Sequence, residues 1–336
     1  MSTNEVRPTV SIVVPVRNGA ATIGELLESL LKIDYDSSRL EIVVVDGNST
    51  DRTREIVAKY PVKLLIQEGE GLNGGRNTGI RNSRGEIVAF TDADCVVPKD
   101  WINKIIEDFK DAQVGCAGGS SKGLYDNFLS QYADNSVFPT QRIFKKRQKL
   151  DMIKLFSNSP VGSNMAFRRD ALKKVGGFDE GIRYGFDEDE LVERVCEAGY
   201  KMVLDPEVFV WHKHRSTLKA LLKQNINFGR GGGILLKKKK AGDPLSKWCR
   251  LSLIIFLAWL VIIGSLTFLT FTTKLNIFLI VLLGIILMPL LASAVFYMHR
   301  MPRNKRYERA ILIYPLLDFL RAFTFGIGEI YELLKP

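Results

Sequence analysis

Two runs without a charged residue, Leu251–Phe271 and Leu275–Met298, constrain this chain more than any other feature. Each is long enough to cross a bilayer as a helix, for which about 20 apolar residues suffice. Lipid offers the backbone no hydrogen-bond partners, so such a run closes its own bonds as a helix, and Pro289 is tolerated inside it. The flanks are basic. Lys237–Lys240, Lys247 and Arg250 precede the first run; His299, Arg300, Arg303, Lys305, Arg306 and Arg309 follow the second; only Lys274 lies between them. Basic loops stay on the cytoplasmic side. The expectation is a multi-pass protein of the cell membrane, with its N-terminal part and residues 299–309 on the cytoplasmic face and the hairpin tip outside. A third stretch, Ala310–Leu334, is apolar enough to span but holds Asp318, Arg321, Glu329 and Glu332. Asp318 and Arg321 are three apart and can pair on one helix face. A third span is favoured over an interfacial helix.

The rest of the chain is long enough for a sizeable core of its own, in a total of 336 residues. The net charge of +10 would suit nucleic acid or an anionic membrane surface. Its concentration beside the apolar runs, without interleaved aromatics, selects the membrane lipids and argues against nucleic acid. The four cysteines form no CxxC pair and keep no metal-site spacing with the three histidines, so reduced thiols are expected. Residues 1–9 are polar, with no signal-peptide pattern, so the N-terminal part is expected to stay where it is made.

Before the membrane runs the chain alternates short β-branched stretches with amphipathic ones. Val10–Pro15, Glu41–Asp46, Val62–Ile66 and Ile87–Phe90 read as strands; Ala21–Lys32, Thr53–Lys59 and Asp100–Lys110 read as helices. Gly69–Gly75 reads as a glycine-rich loop, with a helix opening at Arg76. This alternation gives an α/β domain with a mostly parallel, Rossmann-like sheet. Two of the strands end on carboxylates: Asp46, and Asp92-Ala93-Asp94 after Phe90. Open α/β sheets bind ligands at the C-terminal ends of their strands. Two carboxylates there can hold a hard divalent cation, and the cation a diphosphate.

From Val114 to about His214 the pattern is less regular. Gly115, Gly118, Gly119 and Gly123 mark bends, and Phe128–Met152 looks helical. Gly162–Phe167 reads as a strand and Arg169–Val175 as a helix. Asp187–Ala198 reads as a helix with an acidic first turn, which suits the helix dipole; Val203-Leu204 and Val208–Trp211 read as two short strands. Four consecutive acids, Asp187–Glu190, repel one another, which favours a functional reason for them. Ser216–Phe228 is amphipathic and runs into Arg230-Gly231-Gly232-Gly233 and the lysines. It fits a helix lying in a membrane interface or one packed on its own domain. The expected organisation is a catalytic domain over 1–215, an interfacial segment over 216–248 and a transmembrane domain over 249–336.

Taken in order, Val10–Asn18, Val44-Val45-Asp46 with Ser49 and Asp51, Gly75–Gly79, Thr91–Asp94, Gly162-Ser163-Asn164, Gly176–Glu180 and Glu190-Leu191 through Arg194 to Tyr200 resemble one family. It is the family 2 inverting glycosyltransferases of the GT-A fold. The resemblance covers roughly residues 8–215; membrane-attached members also carry a basic amphipathic segment and C-terminal spans.

The resemblance implies a nucleotide-sugar donor, with a UDP-sugar favoured, and Mg2+ or Mn2+. It places Pro15, Val16 and Arg17 beside the nucleotide and Asp46 at the base. Arg76 and Asn77 fall at donor phosphate or sugar, Asp92 at ribose or metal, and Asp94 at the metal. His212 or His214 matches a position that supplies a further metal ligand in some GT-A enzymes. Asn164, Phe178 and Asp179 fall on the acceptor side. The family's base lies in Glu-Asp-x-[Asp/Glu]-Leu. Here Asp187-Glu188 stand in reversed order, which leaves the base between Glu188 and Asp189, with Asp187 beside them. The implied activity is transfer to a hydroxyl of a lipid-linked or polymeric glycan; the alternatives are a polyprenyl-phosphate sugar synthase, a processive synthase, or a non-enzymatic glycan-binding protein.

Overall fold

The computed structural model describes residues 7–137, 142–153, 159–239, 242–273, 276–300 and 305–335. Lys240, Lys274, Leu275 and Arg303, used above, lie outside them. The chain divides into two units. One holds the chain up to Asp126 and again from 141 to His214; the other holds Asn127–Thr140 and everything from Arg215.

The first unit starts with β1 (Val10–Val16), α1 (Ile23–Leu30), β2 (Leu40–Asp46), α2 (Thr53–Val57), β3 (Lys63–Ile66), α3 (Gly71–Arg81) and β4 (Ile87–Phe90). It continues through β5 (Cys95–Val96), α4 (Trp101–Asp108) and β6 (Val114–Gly123). The chain leaves for α5 (Phe128–Asn135) and returns with β7 (Gln148–Leu150), β8 (Met165–Arg168), α6 (Arg169–Val175), α7 (Asp187–Glu197) and β9 (Lys201–His212). The strand order is β3-β2-β1-β4-β8-β6-β9-β5, with β7 also on β9.

The first four strands of that order are parallel, as their crossover helices require. Beyond them the expected parallel sheet becomes mixed. β8 runs antiparallel to both β4 and β6, β6 and β9 are parallel, and β5 and β7 are antiparallel to β9. Val10, Ile12, Val14, Ala89, Leu26, Leu27, Trp101 and Ile105 are among the buried side chains of the main core.

Three local expectations change. The glycines from 115 to 123 lie inside β6 rather than at bends. A close backbone explains two of them: a Cβ on Gly118 would lie 2.3 Å from the Asn164 carbonyl oxygen, and one on Gly119 1.7 Å from the Val208 carbonyl oxygen, contacts only glycine permits. The two short strands at 203–211 are one strand, β9, whose register against β6 jumps between Gly119↔Asp205 and Ser120↔Phe209. Phe128–Met152 is not one helix. α5 stops at Asn135, where Ser136 leaves the helix at ψ 155°, and the chain is extended at β7; residues 138–141 of that stretch lie outside the described ones.

The second unit contains α5, α8 (Leu218–Lys238), α9 (Pro244–Thr273), α10 (Asn276–Arg300) and α11 (Lys305–Leu334). Pro244–Thr273, Asn276–Arg300 and Ala310–Leu334 are long and apolar enough to cross a membrane. α8 extends ten residues past the expected end, through the glycine run. It packs on α11, and a Cβ on Gly229 would stand 1.9 Å from the Phe325 carbonyl oxygen. Small residues let two helix backbones approach this closely.

Asp318 and Arg321 of α11 do not pair directly; they meet through Tyr132 of α5. The Tyr132 hydroxyl donates to Asp318 Oδ1 at 2.8 Å and accepts from Arg321 Nη1 at 3.3 Å. Ser293 and Tyr297 of α10 each donate to Asp318 Oδ2 at 2.7 Å. Arg321 also donates to Asn225 of α8 and Ser136. Buried polar groups satisfied in this way fix one packing of α5, α8, α10 and α11.

Candidate active site

The C-terminal ends of β1 and β2 and the loops after them are tied together. Asn18 accepts from the Thr50 N–H at 2.8 Å, its own N–H donates to Ser49 Oγ at 2.8 Å, and Asp51 accepts from the Ala20 and Thr53 N–H groups. Asn18 and Asn48 hold positive φ, 55° and 58°, a conformation asparagine tolerates better than most residues. Asp46 closes β2 at 0% exposure. Its Oδ2 accepts from Ser49 N at 3.0 Å, while Oδ1 is buried without a partner. An unpartnered buried carboxylate oxygen is costly, and a ligand N–H is one group that could satisfy it. Val16 pairs with Asp46 across the strands, Arg17 is exposed at the turn, and Gly75 would carry a Cβ 3.2 Å from Pro15 Cβ. The expected glycine loop is thus the first turn of α3, lying against β1.

At the end of β4, Asp92 and Asp94 lie half-buried on the turn into β5. Cys95 of β5 pairs with His212 of β9, which brings Asp94 Oδ1 to 3.4 Å from His212 Nε2. Asp94, Cys95 and His212 each offer a ligand atom, all within 4.8 Å of one another. His212 Nδ1 faces His214 Nδ1 at 3.0 Å. When His212 donates that hydrogen bond, its Nε2 lone pair is turned toward Asp94, the arrangement metal-binding histidines use. Carboxylate and imidazole at this spacing suit a divalent ion bonded at about 2.1 Å. Cys95 is the member that sequence reasoning missed. Burial, then the Asp92 and Asp94 carboxylates, push its thiol well above its usual range. A neutral thiol is a poor partner for a hard cation, so of these three Asp94 and His212 are the better suited to hold one.

The acidic run opens α7. Before it, Tyr184, Gly185 and Phe186 all carry positive φ, 74°, 120° and 65°, a strained approach of the kind found at functional sites. The four acids then separate by partner. Asp187 is ion-paired with Arg76, both buried. Asp189 accepts from Arg142 Nη2 at 3.0 Å on both oxygens and from Ser159 Oγ. Glu190 pairs with Arg194 at 2.7 Å. Glu188 has neither hydrogen bond nor ion pair among the described residues. Burial, then the neighbouring Asp187 and Asp189 carboxylates, push its carboxyl up to about 8. Arg142 and Ser159 are 47 and 30 residues from Asp189, and nothing in their local sequence announces the contact.

Five residues expected at ligand contacts are engaged by the scaffold. Asn77 accepts from Phe178 N at 2.9 Å and donates to Phe178 O and Glu180 Oε1, so it holds the 176–180 loop. Arg76 stands in the Asp187 pair and over the Phe178 ring, 5.0 Å from its centroid. Phe178 itself packs edge-on against Phe90 and Phe167 and is buried. Asn164 is fully buried; its Oδ1 accepts from Trp101 Nε1 at 2.8 Å and its amide donates to the Ser120 and Val208 carbonyls. Asp179 caps its own turn by accepting from Gly181 N at 2.8 Å.

A family model described as glycosyl transferase family 2 matches residues 11–176. The chain carries a glycosyltransferase family 2 domain. A second model, described as the N-terminal domain of galactosyltransferase, matches residues 142–214 of the enzyme. Glycosyltransferase AglE of Haloferax volcanii is 29% identical over 230 residues, covering 67% of this chain and 73% of that protein. The probable glycosyltransferase YdaM of Bacillus subtilis is 26% identical over 69% of this chain and 57% of its own length. O-antigen chain rhamnosyltransferase WbaN of Salmonella anatum is 26% identical over 66% and 71%. Among solved structures, the mannosyltransferase PcManGT from Pyrobaculum calidifontis, in complex with GDP-Man and Mn2+, gives a TM-score of 0.65. It is 21% identical over 97% of this chain and 88% of that one. TarS of S. aureus gives 0.51 at 18% identity. These likenesses give the enzyme the GT-A fold, with apolar C-terminal helices after it.

Proposed function

We propose that the enzyme is a membrane-bound, inverting glycosyltransferase. It moves a sugar from a nucleoside-diphosphate donor to a hydroxyl of a lipid-linked or cell-surface glycan, on the cytoplasmic face of the cell membrane. Glu188 carries this reading: in a run of four acids it alone has no cationic or hydrogen-bonding partner. A hydroxyl acceptor must lose a proton as it attacks, and a carboxylate whose proton affinity is raised toward neutral pH suits that task. A phosphate acceptor is already ionised and would need no such group, so the polyprenyl-phosphate alternative leaves Glu188 unexplained.

Asp46 accepts the base N–H at Oδ1, an interaction open to uracil and guanine alike, so UDP- and GDP-sugars are the donors to try first. Pro15, Val16 and Arg17 line the nucleotide. Asp94 and His212, with Asp92 alongside, hold Mn2+ or Mg2+; imidazole in the set leans toward Mn2+. The ion, when bound, withdraws charge from the departing diphosphate as a Lewis acid. Glu188 takes the acceptor's proton on the opposite face of the sugar, as an inverting displacement requires. PcManGT with GDP-Man and Mn2+, and TarS with UDP-GlcNAc, are precedents for donor class and metal.

The test is a panel of nucleotide sugars with Mn2+ and glycan acceptors, read as nucleoside-diphosphate release and product mass. Glu188→Gln should lose about 10²–10⁴-fold in transfer while still binding nucleotide. Undiminished transfer by that variant would end the assignment.

A further inference from the structure

Arg76 lies away from solvent, and its surroundings connect it to the base rather than the donor. Its side chain is 2% exposed and Nη1 binds Asp187, whose side chain is 7% exposed. The guanidinium also lies over the Phe178 ring, and Nη1 reaches Asn73 Oδ1 at 3.5 Å. Gly162 is where Arg76 and Glu188 meet. A Cβ there would stand 2.6 Å from Arg76 Nη2 and 3.7 Å from the Glu188 carboxyl carbon. Any side chain at 162 would thus press on Arg76 and touch Glu188; glycine lets them face each other across bare backbone.

We propose that Arg76 is a positioning residue for proton transfer: by neutralising Asp187 beside Glu188, it allows Glu188 to ionise and accept the acceptor's proton. This rests on the reading of Glu188 as the base. The charged groups facing Glu188 are Asp187 and Asp189 from its own helix, Arg76 from α3, and Arg142. Asp189 is neutralised by Arg142 in the same manner as Asp187 by Arg76. Two carboxylates left charged in this half-buried place would raise the proton affinity of the third, as like charges do. With these pairs in place burial is the largest cause of the raised proton affinity; the two aspartates still add to it, and the two arginines take back part of what they add. Arg76 therefore acts on Glu188 through Asp187 and through its own charge, without touching substrate.

Three variants test this in the full-length enzyme. Arg76→Gln should move the acid limb of kcat/KM upward by about one unit or more. Its affinity for nucleoside diphosphate with Mn2+ should stay within about twofold. Because Arg76→Gln leaves a buried carboxylate uncompensated, which is strongly destabilising, Arg76→Gln/Asp187→Asn is its companion. With both charges gone, the limb should fall back to the wild-type position or below it, because Asp187 raises the proton affinity of Glu188 more than Arg76 lowers it. Should the single variant fail to fold, the double variant decides alone: a limb at or below the wild-type position supports the proposal, and a limb displaced upward overturns it. An unmoved limb with nucleotide affinity lowered tenfold or more would make Arg76 a donor contact and also overturn it. Glu188→Gln reports separately on the base. If that variant transfers normally, the base assignment fails, whatever the Arg76 variants do.

Discussion

The pH dependence of transfer follows from one residue. Glu188 is half-buried, unpartnered, and flanked by Asp187 and Asp189, and its carboxyl is pushed up to about 8. The base must be ionised to act, so activity tracks its deprotonated fraction: about half at pH ~8, roughly a tenth at pH ~7 and about a hundredth at pH ~6. The log of kcat/KM should climb with a slope near one and level off above pH ~8. Stability should run the opposite way. A carboxyl whose folded value is raised contributes stability in full below its unfolded value of 4.5, and that contribution is lost as pH rises through about 8. Wild type should therefore lose stability on the alkaline side relative to Glu188→Gln, which has no charge to bury. Single-turnover transfer between pH ~5.5 and ~9.5, under saturating donor and Mn2+, separates the chemical step from product release. A flat profile with transfer still dependent on Glu188 would refute the link between its surroundings and its ionisation.

Asp94→Asn should keep the fold, lose measurable Mn2+ binding by paramagnetic resonance and drop transfer by at least ~10²-fold; normal turnover with and without chelator would remove the metal assignment. An impermeant thiol reagent should label Thr272→Cys from outside intact cells and leave Arg300→Cys protected, and the reverse pattern would place the catalytic domain outside. Tyr132→Phe removes the hydroxyl shared by Asp318 and Arg321 and should lower stability by about 1–3 kcal/mol, read as faster thermal inactivation in detergent; an unchanged half-life would show that the shared hydroxyl contributes nothing.

The strands β1, β2 and β4 were legible because buried strands are written as short apolar, β-branched runs. The positions of Asp46 and Asp94 were legible for a related reason: a carboxylate at or just past the end of such a run lies at the C-terminal edge of the sheet. Glycine was the main source of error. In β6, α3 and α8 it marks places where two backbones nearly touch, yet in a sequence it looks the same as a loop. Gly119 against Val208, and Gly229 against Phe325, are contacts across 89 and 96 positions of the chain that no local pattern encodes. The acids at 187–190 were visible as a cluster. Their separation into three held carboxylates and one unpartnered depends on Arg76 and Arg142, which lie far off in the sequence. Asn77 and Asn164 carry side chains that suit a ligand or a scaffold equally, and only their partners tell which.

The same ionisation should also sort the classes of acceptor. A hydroxyl acceptor approaches Glu188 neutral and leaves it a proton, so raising the pH through about 8 helps transfer. A phosphate acceptor arrives charged, gives up no proton, and meets a new negative charge as Glu188 ionises; like charges at short range in a partly desolvated place repel appreciably. The ratio of hydroxyl to phosphate transfer should therefore rise about tenfold per pH unit below pH ~8, and more steeply wherever repulsion adds to it. Glu188→Gln should reverse the preference by abolishing the first reaction and relieving the second. The assay needs a single donor, one glycan acceptor and one short-chain polyprenyl phosphate, compared by product mass at matched times. If the phosphate acceptor is used at a rate that Glu188→Gln and pH leave unchanged, and the hydroxyl acceptor is not used at all, the unpartnered carboxylate is not a base. The polyprenyl-phosphate reading then takes its place.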